Sequence, residues 1–263
     1  MVLGQGSGKM RKLTIFGLDN VGDVEPGDDL AQVIFEKSRE DNLTLSDGDL
    51  VVISQKIVSK ADGLLVNVSG IKPSQRAKRL AKLTKKNSKV VELILSDSGK
   101  VLRAASQALV VRRKDGLICL NAGVDKSNVK GHSVYSRLPL NSDNSARKIL
   151  TRLEELTGRK LAVIIADTYS RPYRLGQVEF AIGVAGLEPI VDYRGRKDMF
   201  GYKLRYKYVA LADEAAAAAE LVMGQGTERT PIAILRDLDR MQRSLAPGLS
   251  KKLQLGRQLD LFR

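Results

Sequence analysis

The chain has 263 residues, 43% of them hydrophobic, and a formal net charge of +14, so it can build a sizeable core and suits polyanionic ligands. Cys119 is the only cysteine, which excludes a disulfide framework or a zinc cluster and is typical of a reducing cytosol. No apolar run reaches the roughly 18 residues of a membrane span, so we expect a cytoplasmic protein with no membrane partner.

One patterned domain is predicted between two weakly patterned ends. Residues 1–11 lack the apolar core of a signal peptide and are expected to form a disordered start. Residues 12–240 carry the strands and helices, and the sequence leaves open whether they divide into two subdomains. Residues 241–263 form a basic tail whose role the sequence does not indicate.

Hydrophobic patterning predicts strands and helices in mixed order. In the first half of the chain we expect strands at 12–17 and 50–53, helices at 30–38, 74–85 and 88–95, and a β-hairpin of 108–112 with 117–120. In the second half we expect helices at 141–157 and 213–223, strands at 161–165, 208–211 and 232–235, and an apolar, glycine-containing segment at 177–187. Because there is no strict βαβ alternation, an α+β fold is favoured over a doubly wound sheet.

Positive charge is concentrated in the helix predicted at 74–85 and just after it. The basic residues there are Arg76, Lys78, Arg79, Lys82, Lys85, Lys86 and Lys89. No aromatic residue is interleaved and the chain has no tryptophan, so stacking on single-stranded nucleic acid is unsupported. We interpret the run as a solvated helix face, and nucleic acid is not an expected partner.

Two aspartates each follow an apolar run that is expected to be a strand. Asp125 lies in the sequence NAGVDKSN and Asp167 in IIADTYSRPYR. An aspartate in this position, next to amide and hydroxyl side chains such as Asn128 and Thr168, is a natural oxygen ligand for a hard cation. The alternative is turn chemistry, in which Asp and Asn satisfy backbone groups in loops.

Further side chains suit a phosphate-bearing ligand. Arg171 and Arg174 follow Asp167 closely, and a carboxylate-bound metal with nearby arginines is what a triphosphate site needs. Lys60 is a candidate phosphate-binding lysine, although an exposed lysine is the commoner case. The sequence MGQGTE at 223–228 can form a loop around a bound nucleotide. The alternative is a glycine that ends the preceding helix, followed by a connecting segment. No Walker lysine motif is present.

An ordered series of motifs resembles the coenzyme F-420-0:L-glutamate ligase (gamma-glutamyl ligase) family. The motifs include GDDL at 27–30, DGD at 47–49, IVSKADG at 57–63, NAGVD at 121–125, IADT at 165–168, GRKD at 195–198, ADE at 212–214 and MG at 223–224. The resemblance covers about 14–238, nearly the whole chain. It implies an α+β fold with a mixed sheet, as in other gamma-glutamyl ligases, and an intertwined homodimer.

The resemblance also implies an activity. The expected enzyme is a GTP-dependent ligase that adds L-glutamate to a deazaflavin coenzyme precursor through γ-linked amide bonds. Magnesium or manganese is the expected metal, with potassium as an assisting ion. Activation of a carboxylate as an acyl phosphate would suit this chemistry, because phosphoryl transfer mainly requires positioning and charge neutralisation.

Site residues are carried over motif by motif. Asp125 and Asp167 would bind one metal, and Thr168 would help to bind a second one with Gln225. The expected nucleotide contacts are Val21, Gly22, Asp23, Val24, Gln55, Lys56, Lys60, Asn128, Met223, Gly224, Gln225, Gly226, Thr227 and Glu228. Lys60, Arg171 and Arg174 would have the catalytic role of offsetting developing charge.

Two alternative functions remain open from the sequence. The first keeps the ligase chemistry but uses folate or another carboxylate as the acceptor, and the choice between GTP and ATP is open as well. The second is a nucleotide- or RNA-binding protein that has the fold without the activity. The basic residues of 74–89 favour the second, whereas Asp125, Asp167, Thr168 and Lys60 argue against it.

Overall fold

A computed structural model describes residues 11–239, 241–256 and 258, so most of the predicted disordered start and part of the basic tail lie outside the described residues. In chain order the strands are β1 (Thr14–Gly17), β2 (Leu50–Ser54), β3 (Leu65–Asn67), β4 (Ser98–Ala105), β5 (Ala108–Arg113), β6 (Ile118–Leu120), β7 (Val134–Ser136), β8 (Ala162–Ser170), β9 (Gln177–Ala185), β10 (Val191–Asp192), β11 (Tyr208–Val209) and β12 (Ile232–Arg236). The α-helices are α1 (Leu30–Glu40), α2 (Gln55–Ala61), α3 (Gln75–Thr84), α4 (Ser88–Asp97), α5 (Ser142–Thr157) and α6 (Leu211–Met223). None of the helices in these ranges is long and apolar enough to cross a membrane.

A five-stranded mixed sheet forms the centre of the protein. Its strand order is β1-β12-β2-β8-β9, with β2 and β8 parallel and the other neighbours antiparallel. Helices α1 and α5 cover one face, where Val51 and Ile53 point, and α6 covers the other, where Leu50 and Val52 point. Because both faces are covered, β2 is apolar at every position but its last. The predicted α+β class is confirmed.

A third core lies beside the two cores on the faces of this sheet. Helices α3 and α4 pack on the three-stranded antiparallel sheet β4-β5-β6, with Ile94, Leu109 and Val111 fully buried between them. The hairpin of β5 and β6 was predicted, whereas β4 was not. Two register shifts interrupt the pairing of β4, and it has no fully buried side chain, so it lacks the period-2 apolar pattern of a strand.

Helix boundaries follow local capping chemistry. Asn141 accepts a hydrogen bond from Asn144 N at the start of α5, and Gly158 ends the helix in a left-handed conformation. The prediction of a strand at 208–211 was wrong about its end: the strand stops at Val209, because α6 already begins at Leu211. Leu211 and Ala212 are buried in the core as the first residues of that helix, and Asp213 and Glu214 suit its positive end.

Candidate functional site

The parallel pairing of β2 and β8 brings polar residues to one edge of the sheet. Ser54 is in register with Ala166, and the chain runs from Ser54 directly into α2. Hydrophobic patterning predicted no helix here, but residues 55–61 form one. Lys56 and Lys60 are neighbours on one face of α2. Asp167, which directly follows the residue of β8 that pairs with Ser54, lines the same cavity as both lysines.

A cavity of about 540 Å³ opens at this edge. It is lined by every predicted nucleotide-binding residue except Val24, which is buried in the core. Among the predicted metal ligands, Asp167, Thr168 and Gln225 line it, whereas Asp125 does not line it and contacts the lining residue Lys56. We call it the smaller cavity.

Asp125 is held by a local turn and by Lys56. It follows a 3-10 helix, Asn121–Gly123, rather than a strand, and its backbone bridges to Ser136. Its carboxylate accepts hydrogen bonds from Ser127 Oγ and Lys126 N and lies 3.0 Å from Lys56 Nζ. Burial acts to raise the pKa of Asp125, but the Ser127 hydrogen bonds and the Lys56 charge outweigh it, so the pKa lies below its ordinary value. The group is therefore a carboxylate at neutral pH.

Asp167 has the opposite electrostatic character. It lies inside β8 rather than after a strand, because a register shift at Ile165–Ala166 lets pairing with β9 continue to Ser170. Burial, with a smaller contribution from the nearby Glu179 carboxylate, raises the pKa of Asp167 to about 7. The site thus holds a partly exposed carboxylate, and a cation beside it would favour its ionised form.

A third group of side chains lies around Thr168. Its Oγ1 is 2.8 Å from Glu179 Oε1 and 3.2 Å from Gln225 Oε1, and Gln225 Nε2 donates to Glu179 Oε1 at 2.8 Å. Burial raises the pKa of Glu179, and its Oε2 is buried without a hydrogen-bond partner. Sequence reasoning missed Glu179; the signal was a carboxylate within the apolar segment 177–187.

The oxygens around Thr168 fit a hard divalent cation whose remaining ligands come from outside the protein. In the described ranges, no three His, Cys, Asp or Glu side chains converge into a complete metal site. Oxygens of Thr168, Gln225 and Glu179 nevertheless meet within hydrogen-bonding distance, and Glu179 Oε2 has no partner. Magnesium commonly binds through few protein oxygens and completes its shell with water and phosphates.

A glycine-containing loop closes one side of the smaller cavity. Gly224 has a φ of +67°, and a Cβ there would lie 2.5 Å from Glu228 Cδ. Glu228 Oε2 accepts from Gly226 N at 2.7 Å, and Asn128 Nδ2 donates to Gly226 O at 3.4 Å. The loop is therefore tied both to itself and to the segment that carries Asp125. At the rim, Lys130 pairs with Asp23 at 2.7 Å, another contact the sequence did not reveal.

The two predicted arginines lie elsewhere. Neither lines the smaller cavity. Arg171 lines a second cavity, of about 2240 Å³, which we call the larger cavity, and its Nε is buried without a hydrogen-bond partner. Arg174 is exposed and lines neither cavity. Their predicted charge-offsetting role stays a prediction.

Comparison with known proteins gives consistent matches. The family model described as F420-0:Gamma-glutamyl ligase matches residues 20–237. A protein named Coenzyme F420:L-glutamate ligase from Methanothermobacter thermautotrophicus is 43% identical over 251 residues, covering 95% of this chain and 99% of that protein. Proteins of the same name from Methanopyrus kandleri and Archaeoglobus fulgidus are 41% and 38% identical, covering 91% and 87% of this chain and 93% and 89% of their own lengths.

Proposed function

The chain belongs to the F420-0:gamma-glutamyl ligase family, and we propose that it joins L-glutamate to coenzyme F-420-0 in a GTP-dependent reaction that forms a γ-glutamyl amide bond. The names of its relatives support the ligase activity and both substrates. The observation that carries the nucleotide dependence is the smaller cavity, where Lys56 and Lys60 face the loop at 224–228. A triphosphate needs this kind of cationic, loop-covered site.

The proposed chemistry has two balanced steps. An oxygen of the acceptor carboxylate attacks the γ-phosphorus of GTP, and GDP leaves, so that an acyl phosphate forms. The neutral amine of L-glutamate then attacks the acyl carbon and an amide forms. Inorganic phosphate leaves with the former carboxylate oxygen and takes up the proton that the amine loses. Neither step needs a nucleophilic side chain, because the protein positions the reactants and neutralises charge.

The side chains of the smaller cavity suit these tasks. Lys60 and Lys56 offset the negative charge of the phosphates, with Lys56 also anchored to Asp125. Asp125 and Asp167 would hold one magnesium or manganese ion, and Thr168 and Gln225 a second, beside the unpartnered oxygen of Glu179. When bound, these metals supply charge neutralisation at the phosphates. Potassium belongs to the proposal as an assisting ion.

We also propose that the protein works as an intertwined homodimer. Large apolar side chains project from two segments, with Tyr173 91% and Leu175 101% exposed between β8 and β9, and Met199 94% and Phe200 92% exposed before β11. Large exposed apolar side chains are typical of interaction surfaces. A second copy of the chain would cover these side chains. The family resemblance favours a second copy over another protein as the partner.

Mass spectrometry of reaction products tests the ligase activity. Purified protein, L-glutamate and Mg²⁺ or Mn²⁺ are incubated with GTP or ATP and with either coenzyme F-420-0 or tetrahydrofolate. The proposal predicts a glutamate adduct on the deazaflavin with GTP. An adduct only on folate would keep the chemistry and change the acceptor, and an adduct only with ATP would change the nucleotide. Nucleotide binding with no adduct on either acceptor would contradict the ligase proposal.

A further inference from the structure

The larger cavity adjoins the smaller one. It lies between the outer face of the sheet β4-β5-β6 and the β8–β9 hairpin, and its volume of about 2240 Å³ exceeds that of a pocket for a single drug-sized ligand. Among the described residues, Glu179 is the one that lines both cavities. A ligand in the larger cavity can therefore bring one end to the boundary where Thr168 and Gln225 meet Glu179.

One wall of this cavity is cationic. Lys100 and Arg112 are directly opposite each other on β4 and β5, so their side chains share one face of the sheet, and Arg103 lies on the same wall. In the part of the chain that the structure describes, no acidic side chain pairs with any of these three. Like charges directly opposite in a sheet are unfavourable, and a bound anion would relieve that repulsion.

The other wall is aromatic and contains unpartnered polar atoms. The rings of Tyr169 and Phe180 are 4.5 Å apart with an interplanar angle of 60°, and both line the cavity. Within the described ranges, the two buried side-chain atoms without a hydrogen-bond partner are Arg171 Nε and Glu179 Oε2, and both residues line this same cavity. The unpartnered Arg171 Nε–H is a donor that an anionic ligand group would satisfy, whereas the unpartnered Glu179 oxygen is an acceptor and suits the cation proposed beside Thr168 and Gln225.

We propose that the larger cavity binds the carboxylate acceptor of the ligase reaction, a planar aromatic polyanion. The aromatic part packs on Tyr169 and Phe180, and the anionic groups lie against Lys100 and Arg112. The reacting carboxylate lies at the Glu179 boundary, next to the phosphates in the smaller cavity. The inference rests on the proposed function, since it assigns the acceptor to a place beside the proposed nucleotide site.

Isothermal titration calorimetry with coenzyme F-420-0 tests the assignment. The variant carries Lys100→Ala and Arg112→Ala, and the matched control carries Lys78→Ala and Lys82→Ala, which remove the same charge from exposed positions of α3 outside both cavities. Loss of two cationic contacts is expected to raise the Kd for the acceptor on the order of tenfold. GTP affinity stays unchanged, and the control variant binds the acceptor like the wild type.

The outcomes separate this inference from the proposed function. Wild-type protein that binds the acceptor, with a Kd unchanged in the Lys100/Arg112 variant, overturns the assigned location and leaves the ligase proposal intact. An equal rise in the acceptor Kd of the control variant also overturns the assigned location, because the loss of affinity would then come from the long-range effect of net charge. Wild-type protein that neither binds the acceptor nor forms an adduct refutes the proposed function itself.

Discussion

At the scale of single residues, Asp125 and Asp167 have different electrostatic environments. Asp125 is held ionised by Ser127 and Lys56, whereas burial and the nearby Glu179 carboxylate raise the pKa of Asp167 to about 7. The sequence identified both residues from the apolar runs before them. It did not reveal Glu179, because a carboxylate in an apolar segment shows its role only when strand pairing places it opposite Thr168.

Replacement of Asp167 by Asn should remove metal-dependent activity and keep the fold. The amide retains the size and the oxygen of the carboxylate but loses the charge that a divalent cation requires. We expect turnover to fall on the order of a hundredfold or more, judged from the loss of a group that stabilises charge in catalysis. Glutamate-adduct formation at varied Mn²⁺ measures the effect, circular dichroism checks folding, and normal turnover would refute the assignment.

The stability of the metal-free protein should depend on pH through Asp167. Its pKa of about 7 in the folded protein lies above the ordinary value of 3.8, so the stabilising contribution of the protonated form is lost as pH rises through 7. Added Mn²⁺ should restore more stability above pH 7 than below it, because the metal binds the ionised group. Thermal melting at several pH values, with Asp167→Asn as the comparison, measures this. A pH dependence identical in the two proteins would contradict it.

Lys60 should act on the nucleotide. Its ammonium lines the smaller cavity on the same helix face as Lys56, so Lys60→Ala should raise the KM for GTP or lower turnover, by about tenfold for a lost charged contact. Steady-state kinetics at varied GTP measures this change. The control is Lys78→Ala on α3, and unchanged kinetics for Lys60→Ala would make Lys60 an ordinary surface residue.

At the scale of elements, the site depends on how strands and helices end. Helices and strands with strong apolar periodicity, such as α5 and β2, were predictable from the sequence. Helix α2 was not, because its seven residues are too few to show a clear period, yet it places Lys56 and Lys60 beside Asp167. Strand β4 was missed since its pairing is interrupted twice and its side chains are largely outside the core.

The contact between α5 and β9 should be sensitive to a single methyl group. A Cβ at Gly183 would lie 2.5 Å from the Ser142 carbonyl oxygen, at the start of α5. Gly183→Ala should therefore destabilise the protein by about 1–3 kcal/mol through overpacking. Urea unfolding measures the change. Gly70→Ala is the control, since nothing lies within 4 Å of a Cβ there, and equal stability of the two variants would contradict the packing described.

At the scale of the whole molecule, the described residues form three hydrophobic cores and line two cavities. The central mixed sheet carries the smaller cavity at the shared end of β2 and β8, and the second sheet supplies the cationic wall of the larger one. The sequence predicted the α+β class and most of the residues that line the smaller cavity. It did not predict the larger cavity, because its walls come from segments about 60 residues apart in the chain, such as 100–112 and 169–180.

Self-association should depend on the exposed apolar side chains. Phe200→Glu should weaken the proposed homodimer, because a charge would be buried at a dimer contact. Sedimentation velocity should then show a shift from dimer toward monomer. Leu83→Glu on α3 is the control, as Leu83 is 66% exposed but lies far along the chain from these segments. A monomeric wild-type protein would contradict the homodimer.

The measurement that tests the central claim most directly follows oxygen from the acceptor carboxylate into inorganic phosphate. The acceptor carries ¹⁸O in the carboxylate that becomes the amide, and the reaction contains GTP, L-glutamate and Mn²⁺. An acyl phosphate requires one labelled oxygen in each phosphate released, with one GDP formed for each amide bond. Amide formation with unlabelled phosphate, or GTP hydrolysis without amide formation, would contradict the ligase mechanism.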